Sequence, residues 1–188
     1  MHEKFQKILN EIKTSQKRVE ILSVDDKVLL ACKKNLFINW DSLSGVIIEN
    51  TGGIIIDNWI RFYGAGKLNI LERNNIMPFE ELVIAEDILG GLFILLTNNN
   101  IGYFAPDCLE VEDMELSSGQ FLYWCLHGNT DMFYADYRWQ NWKEDVAKLN
   151  YDNGIAFYPF LFAKAESLEK RMRKEIPISE IISIELKS

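Results

Sequence analysis

The chain has 188 residues, 28 of them acidic and 20 basic, for a formal net charge of −8 and a pI near 4.9. That balance repels phosphate backbones and speaks against nucleic-acid binding, while it would draw in a basic protein by long-range steering. Hydrophobic residues at 48% and charged residues at 26% speak against disorder, and the length suits one domain, 1–188, with a substantial core.

Phe5, Ile8, Leu9 and Ile12 fall at helical spacing, which predicts an amphipathic helix from Glu3 to Thr14. "RVEIL" reads as a short strand. "SVDDKVLLACKKNL" reads as a second helix, with Ser23, Asp25 or Asp26 to cap it and Lys33 and Lys34 in its last turn. "FINWDSLS" reads as a loop. Three strands are then expected, Val46–Glu49, Ile54–Asp57 and Trp59–Tyr63, with turns at 50–53 and Asp57-Asn58.

After a connection broken at Pro78 comes an apolar strand, Leu82–Ala85. Leu92–Thr97 and Ile101–Phe104 then predict a hairpin around Asn98–Asn100, where asparagine tolerates left-handed backbone. Ser117 or Ser118 can cap a helix that runs to His127 and stops at Gly128. Trp124, inside "FLYWCL", is expected in the core. Asp131 can cap the next helix, Trp142–Leu149 adds a turn or two, and "GIAFYPFLF" returns to strand. Lys164–Lys174 reads as an exposed helix or loop, and "IPISEIISIE" as a last short element.

No motif names a reaction. "GAGKLN" lacks the first glycine of a phosphate loop and has Leu68 where Ser or Thr should stand, so a strand end with a turn is the better reading. "TGGIII" lacks dinucleotide-binding spacing. Cys32, Cys108 and Cys125 have neither disulfide nor zinc spacing and read as reduced thiols. Of the two histidines, His2 adjoins the start methionine and His127 ends a helix; a general base there would need a partner that the sequence does not supply. No metal site, cofactor or catalytic residue is expected. The N-terminus lacks a signal-peptide core, and no window approaches the ~18 apolar residues of a membrane span. The expectation is therefore a cytoplasmic protein without membrane contact.

Two acidic stretches are the candidate binding residues: Glu86 with Asp87, and the run "DCLEVEDME" with Asp107, Glu110, Glu112, Asp113 and Glu115. Paired carboxylates can run acid–base chemistry, but such runs are more often solvated faces. Arg61, inside a β run, should be paired or face solvent, and joins the candidates. Phe133, Tyr134, Tyr137, Trp139 and Trp142 could stack a ligand, yet their spacing favours packing against the sheet.

The stretches "TGGIIIDNWIRFYGAG", "LVIAEDILGGLFIL", "IGYFAPDCLEVEDM", "FLYWCLHGNTDMFYADYRWQNW" and "GIAFYPFLF" together resemble the bacterial domain-of-unknown-function family 2625. The likeness spans roughly residues 44–177. This sequence has Asn58-Trp59 where that pattern has an extra glycine before the tryptophan. More distantly, Glu86, Asp87, Gly90 and Gly91 followed by Phe121 and Leu122 resemble the SUKH (Smi/Knr-type) superfamily, many of whose members are immunity proteins that neutralise toxins.

The expected fold is α+β: a twisted, mainly antiparallel sheet of five or six strands with helices packed on one face and at the ends, SUKH-like. The resemblance implies a non-enzymatic protein, like an immunity protein, that binds a basic toxin or other protein through an acidic, aromatic-anchored surface. The alternatives are a carboxylate-dependent hydrolase acting on a small or sugar substrate, and a small-ligand-binding domain that uses the aromatic cluster.

Overall fold

The computed structural model describes residues 3–165 and 167–188, and every count below is of those residues. His2 lies outside them. The chain opens with helix α1 (Glu3–Thr14), strand β1 (Val19–Leu22), helix α2 (Asp26–Asn35) and helix α3 (Leu43–Asn50). A run of strands follows: β2 (Gly53–Ile56), β3 (Ile60–Tyr63), β4 (Val83–Asp87), β5 (Leu92–Leu95), β6 (Asn100–Phe104) and β7 (Val111–Ser117), with helix α4 (Ile70–Asn75) between β3 and β4. Helices α5 (Ser118–His127), α6 (Thr130–Phe133) and α7 (Trp142–Val146), strands β8 (Asn153–Tyr158) and β9 (Met172–Pro177) and helix α8 (Ile178–Glu185) complete it.

β1 to β7 form one antiparallel sheet in chain order, so each strand pairs with its neighbours in sequence. The α+β class and the antiparallel sheet are as expected. The sheet has seven strands rather than five or six, and β8 and β9 make a separate two-stranded ribbon. Side chains alternate between its faces. Ile54, Ile56, Phe62, Phe93 and Tyr103 pack on one face with Phe5 and Ile8 of α1 and Phe121 and Cys125 of α5. Ile55, Tyr63, Leu92, Ile94 and Phe104 pack on the other with Cys32 of α2, Ile70 of α4 and Ile178, Ile181 and Ile182 of α8. Burial on both faces explains why β2 reads as an unbroken apolar run.

Local signals set most boundaries. The Asp25 side chain accepts from the backbone N–H groups of Lys27 and Val28 and starts α2. Ser117 and Gln120 form a reciprocal capping box for α5, and Gly128 closes it. Asp57 and Asn58 both take φ 53°, so the β2–β3 turn gets its left-handed backbone from an Asp-Asn pair. At the tip of the β5–β6 hairpin Asn99 sits at φ 66°, while the amides of Asn98 and Asn100 both donate to Asp113 on β7, at 2.8 and 3.1 Å.

Three expectations fail locally, and one strand was not foreseen. The expected strand Val46–Glu49 is helix α3. Ser42 caps it, and Val46, Ile47 and Ile48 are all buried because its residues serve both core clusters; a helix buried all round loses its 3.6-residue signature. The acidic run contains strand β7, whose Met114 and Leu116 pack on the core while its acids face out. β9 begins at Met172, inside the stretch read as helix or loop, and runs on to Pro177. Asn129, not Asp131, caps α6. Of the cysteines, Cys32 and Cys125 are buried and Cys108 is exposed, all as free thiols. Among the described residues no helix is long and apolar enough to cross a membrane.

Trp124 is half-buried on the rim of the core, 6.0 Å from the ring of Phe121 and edge-on to Phe133, rather than inside it. Trp124→Ala should therefore cost about 2–3 kcal/mol, less than the roughly 3–5 kcal/mol expected for the fully buried Phe121→Ala. Urea denaturation compares them directly; equal losses would contradict the rim placement.

Candidate functional site

The register of β3 against β4 sets Arg61 opposite Glu86 and Ile60 opposite Asp87. Adjacent strand residues point to opposite faces, so the two carboxylates never meet. Both are fully buried, which corrects the reading of this pair as a solvated face. On the α8 face, Tyr63 donates its hydroxyl to Glu86 at 2.7 Å, and the guanidinium groups of Arg61 and Arg73 lie 3.6 and 3.7 Å from the Glu86 carboxylate. Arg61 is itself buried and donates to the carbonyls of Asn150, Tyr151 and Asn153. Arg73 donates to Tyr151 O and to Asp152. Burial pulls the Arg61 pKa down, against the opposing pull of Glu86, and pushes that of Tyr63 up. The network fastens the loop before β8 onto the middle of the sheet.

On the other face Asp87 accepts four hydrogen bonds. Leu89 and Gly91 donate backbone N–H groups to Oδ1, and the hydroxyls of Tyr103 and Tyr134 donate to Oδ2 at 2.8 and 3.1 Å. Burial raises the Asp87 pKa and these bonds oppose the rise. The β4–β5 turn closes around the carboxylate. Gly90 takes φ +100°, and a side chain on Gly91 would strike Asp87 Oδ2 and the Tyr103 hydroxyl. The Ala85–Gly91 motif is thus a structural turn built on a buried acid. The Glu185 carboxyl of α8 packs against Gly90; burial first, and the charge of Asp87 second, push its pKa up to about 9.

The second acidic stretch lies apart from this centre. Asp107, in the turn before β7, and Glu110, Glu112, Asp113 and Glu115 are all exposed. β7 is an edge strand of the sheet. Asp113 is tied to the hairpin tip and to the backbone N–H of Glu115, which hold its pKa low. A fully buried pair and an exposed edge give a hydrolase no converging carboxylates from these two stretches. Among the described residues no group of three His, Cys, Asp or Glu side chains is placed to hold a metal ion.

The aromatic cluster is packed internally. Trp59, Tyr134 and Trp142 surround the guanidinium of Arg138, at 4.7, 5.1 and 4.0 Å from their ring centroids, so the protein's own cation fills the box. Arg138 is in turn paired with Asp131.

One feature escaped the sequence reading. A polar cleft of about 610 Å³ opens where the ends of α1 and α5 meet the β2–β3 turn, with Lys17, Asp57, His127, Asp131 and Lys143 on its walls. The partner that sequence could not supply for His127 is Glu11, 3.0 Å away on α1. Lys17 and Lys143 carry no motif and sit in stretches that read as ordinary polar surface.

The family model for the protein of unknown function DUF2625 matches residues 2–181. YbfG of Escherichia coli (strain K12) is 33% identical, covering 93% of this chain and 86% of its own length. An uncharacterized protein of Haemophilus influenzae is 30% identical, covering 71% of this chain and 67% of its own length. No solved structure matches.

Two outcomes follow from the buried charges. Arg61→Ala leaves Glu86 short of its nearest cation and should cost about 3–5 kcal/mol in denaturant unfolding; a loss below about 1 kcal/mol would show the pair to be dispensable. Glu185 has a carboxyl pKa near 4.5 when unfolded and about 9 when folded, so folding takes up a proton between those values. Its contribution is full below the lower value and is lost as pH rises through the upper one. Glu185→Gln should raise stability at pH 8 by roughly 1–3 kcal/mol and by progressively less toward pH 5. Thermal unfolding at several pH values checks this; a difference that does not change with pH would refute it.

Proposed function

We propose that this chain, which belongs to the DUF2625 family, is a non-enzymatic binding protein that captures a basic partner protein, as an immunity protein captures a toxin. One observation carries the reading: the sheet ends in an edge strand, β7, that faces water and displays Glu112, Asp113 and Glu115, with Glu110 just before it. An edge strand offers unpaired backbone donors and acceptors, and its charges keep it from pairing indiscriminately. A basic partner meets both features. Charge steers the encounter, and backbone pairing with contacts to the exposed Val111 holds the complex. The resemblance of the Glu86–Gly91 and Phe121–Leu122 stretches to SUKH immunity proteins supports the same reading. So does the net charge of −8. Glu86 and Asp87 are taken up by their own tyrosines, arginines and backbone, which leaves the exposed acids for recognition.

The test begins with partners sought by co-purification and among the products of adjacent genes. Glu110, Glu112 and Glu115 are then changed together to Gln; Asp113 is left alone because it ties down the hairpin tip. The melting temperature should hardly move, since exposed carboxylates contribute little to stability. Association at low salt should slow by about tenfold, and its salt dependence should flatten. Association at the wild-type rate under those conditions would remove β7 from the interface.

A further inference from the structure

The cleft between α1, α5 and the β2–β3 turn shows an imbalance in how its charges are used. Its acids are engaged. Asp57 Oδ1 accepts the backbone N–H of Arg18 at 3.1 Å, and Asp131 takes the guanidinium of Arg138; nearby, Glu11 meets His127. Its lysines are not. Lys17 Nζ donates to the Thr130 hydroxyl at 2.7 Å, and among the described residues no carboxylate lies within 4.0 Å of it. Lys143 Nζ rests 5.4 Å from the Trp142 ring centroid and likewise has no carboxylate within that distance. Both amines line one cleft, in a protein whose acids outnumber its bases by 28 to 20.

Arg138, the ion-pair partner of Asp131 on the cleft wall, is itself buried. Its side chain is 6% exposed and its Nε has no hydrogen-bond partner. Burial lowers the Lys17 pKa; the nearby charges of Asp57 and Asp131 oppose the fall and that of Arg138 adds to it, so the amine gives up solvation with carboxylates nearby but none in contact. A bound anion would give it a contact partner. The walls also carry acceptors, the carboxylates of Asp57 and Asp131, that suit hydroxyl donors. The volume of about 610 Å³ falls in the range of small-molecule sites.

We propose that this cleft binds a small hydroxylated oxyanion, the phosphate ester or acid of a sugar-like molecule, with its anionic group on Lys17 and Lys143 and its hydroxyls toward Asp57 and Asp131. The site lies away from β7, and the inference stands apart from capture of a protein partner.

Calorimetric titration of the wild-type chain at low salt with ribose 5-phosphate, gluconate and ribose tests it. The phosphate, the carboxylate or both should bind below about 1 mM, and whichever does identifies the oxyanion; ribose should not bind. Lys17→Met should weaken binding by about tenfold or more and Lys143→Gln by a smaller factor, with circular dichroism to verify folding. Lys143 is exposed, so its variant carries the comparison if Lys17→Met does not fold. Binding of neither anion, ribose binding as tightly as its phosphate, or undiminished affinity in folded lysine variants would overturn the proposal.

Discussion

Two carboxylates side by side in the middle of a buried sheet must each find partners, and the arrangement of the rest of the chain answers that demand. A carboxylate left alone in the interior costs many kcal/mol, so neither Glu86 nor Asp87 can be tolerated unpaired. Because they are consecutive on β4, they address opposite faces and need two separate sets of donors. Glu86 is met by Tyr63, Arg61 and Arg73. The two arginines then need acceptors of their own and find them in the carbonyls of the loop before β8. Asp87 is met by its own turn and by Tyr103 and Tyr134. The ribbon β8–β9 and the aromatic segment around Tyr134 are thus located by polar contacts as well as by apolar packing. Such contacts contribute less to net stability than to uniqueness, since an alternative packing would strand a charge.

Much of this was legible in the sequence, and what was not has a physical cause. Helix α1 was readable end to end because one apolar stripe faces the core and the rest is charged. The β5–β6 hairpin was readable because turn chemistry separates two apolar runs. Helix α3 was not, because Val46, Ile47 and Ile48 are buried on every side and composition alone then imitates a strand. β7 was hidden by its charges, which belong to an edge strand rather than to a loop. The burial of Glu86 and Asp87 was illegible for a deeper reason. Their partners lie at positions 61, 73, 103 and 134, and nothing local announces a pairing across dozens of residues. Arg61 came closer, since a charge inside a strand asks for a partner. The cleft lysines left no trace, because what distinguishes them is a shared concave wall that only three dimensions reveal.

The placement of charge divides the molecule by role. The charges of Arg61, Arg73, Glu86 and Asp87 serve architecture: each is met by groups of the chain itself. Two surface regions differ in character: the edge strand β7, and the cleft by the β2–β3 turn. At β7, acids stand in the open with few contacts of their own. By the β2–β3 turn, Lys17 and Lys143 share a concave wall with Asp57 and Asp131. An acidic rim suits a broad, steered encounter with another protein, and a concave site suits a small solute.

The strictly sequential order of the sheet also governs how the molecule can be made. Each of the seven strands pairs with the one just synthesised, so the sheet can grow by local zippering with modest loop-closure entropy. Yet the carbonyls that receive Arg61 come from residues 150–153, the hydroxyl that completes Asp87 from Tyr134, and the ribbon strand joined to Ile88 begins only at Asn153. A nascent chain that has emerged only through β7 therefore holds an assembled sheet whose central charges are still waiting for half their partners. Its final locking is deferred to the last quarter of translation, and until then the incomplete sheet is the species that chaperones and proteases would meet.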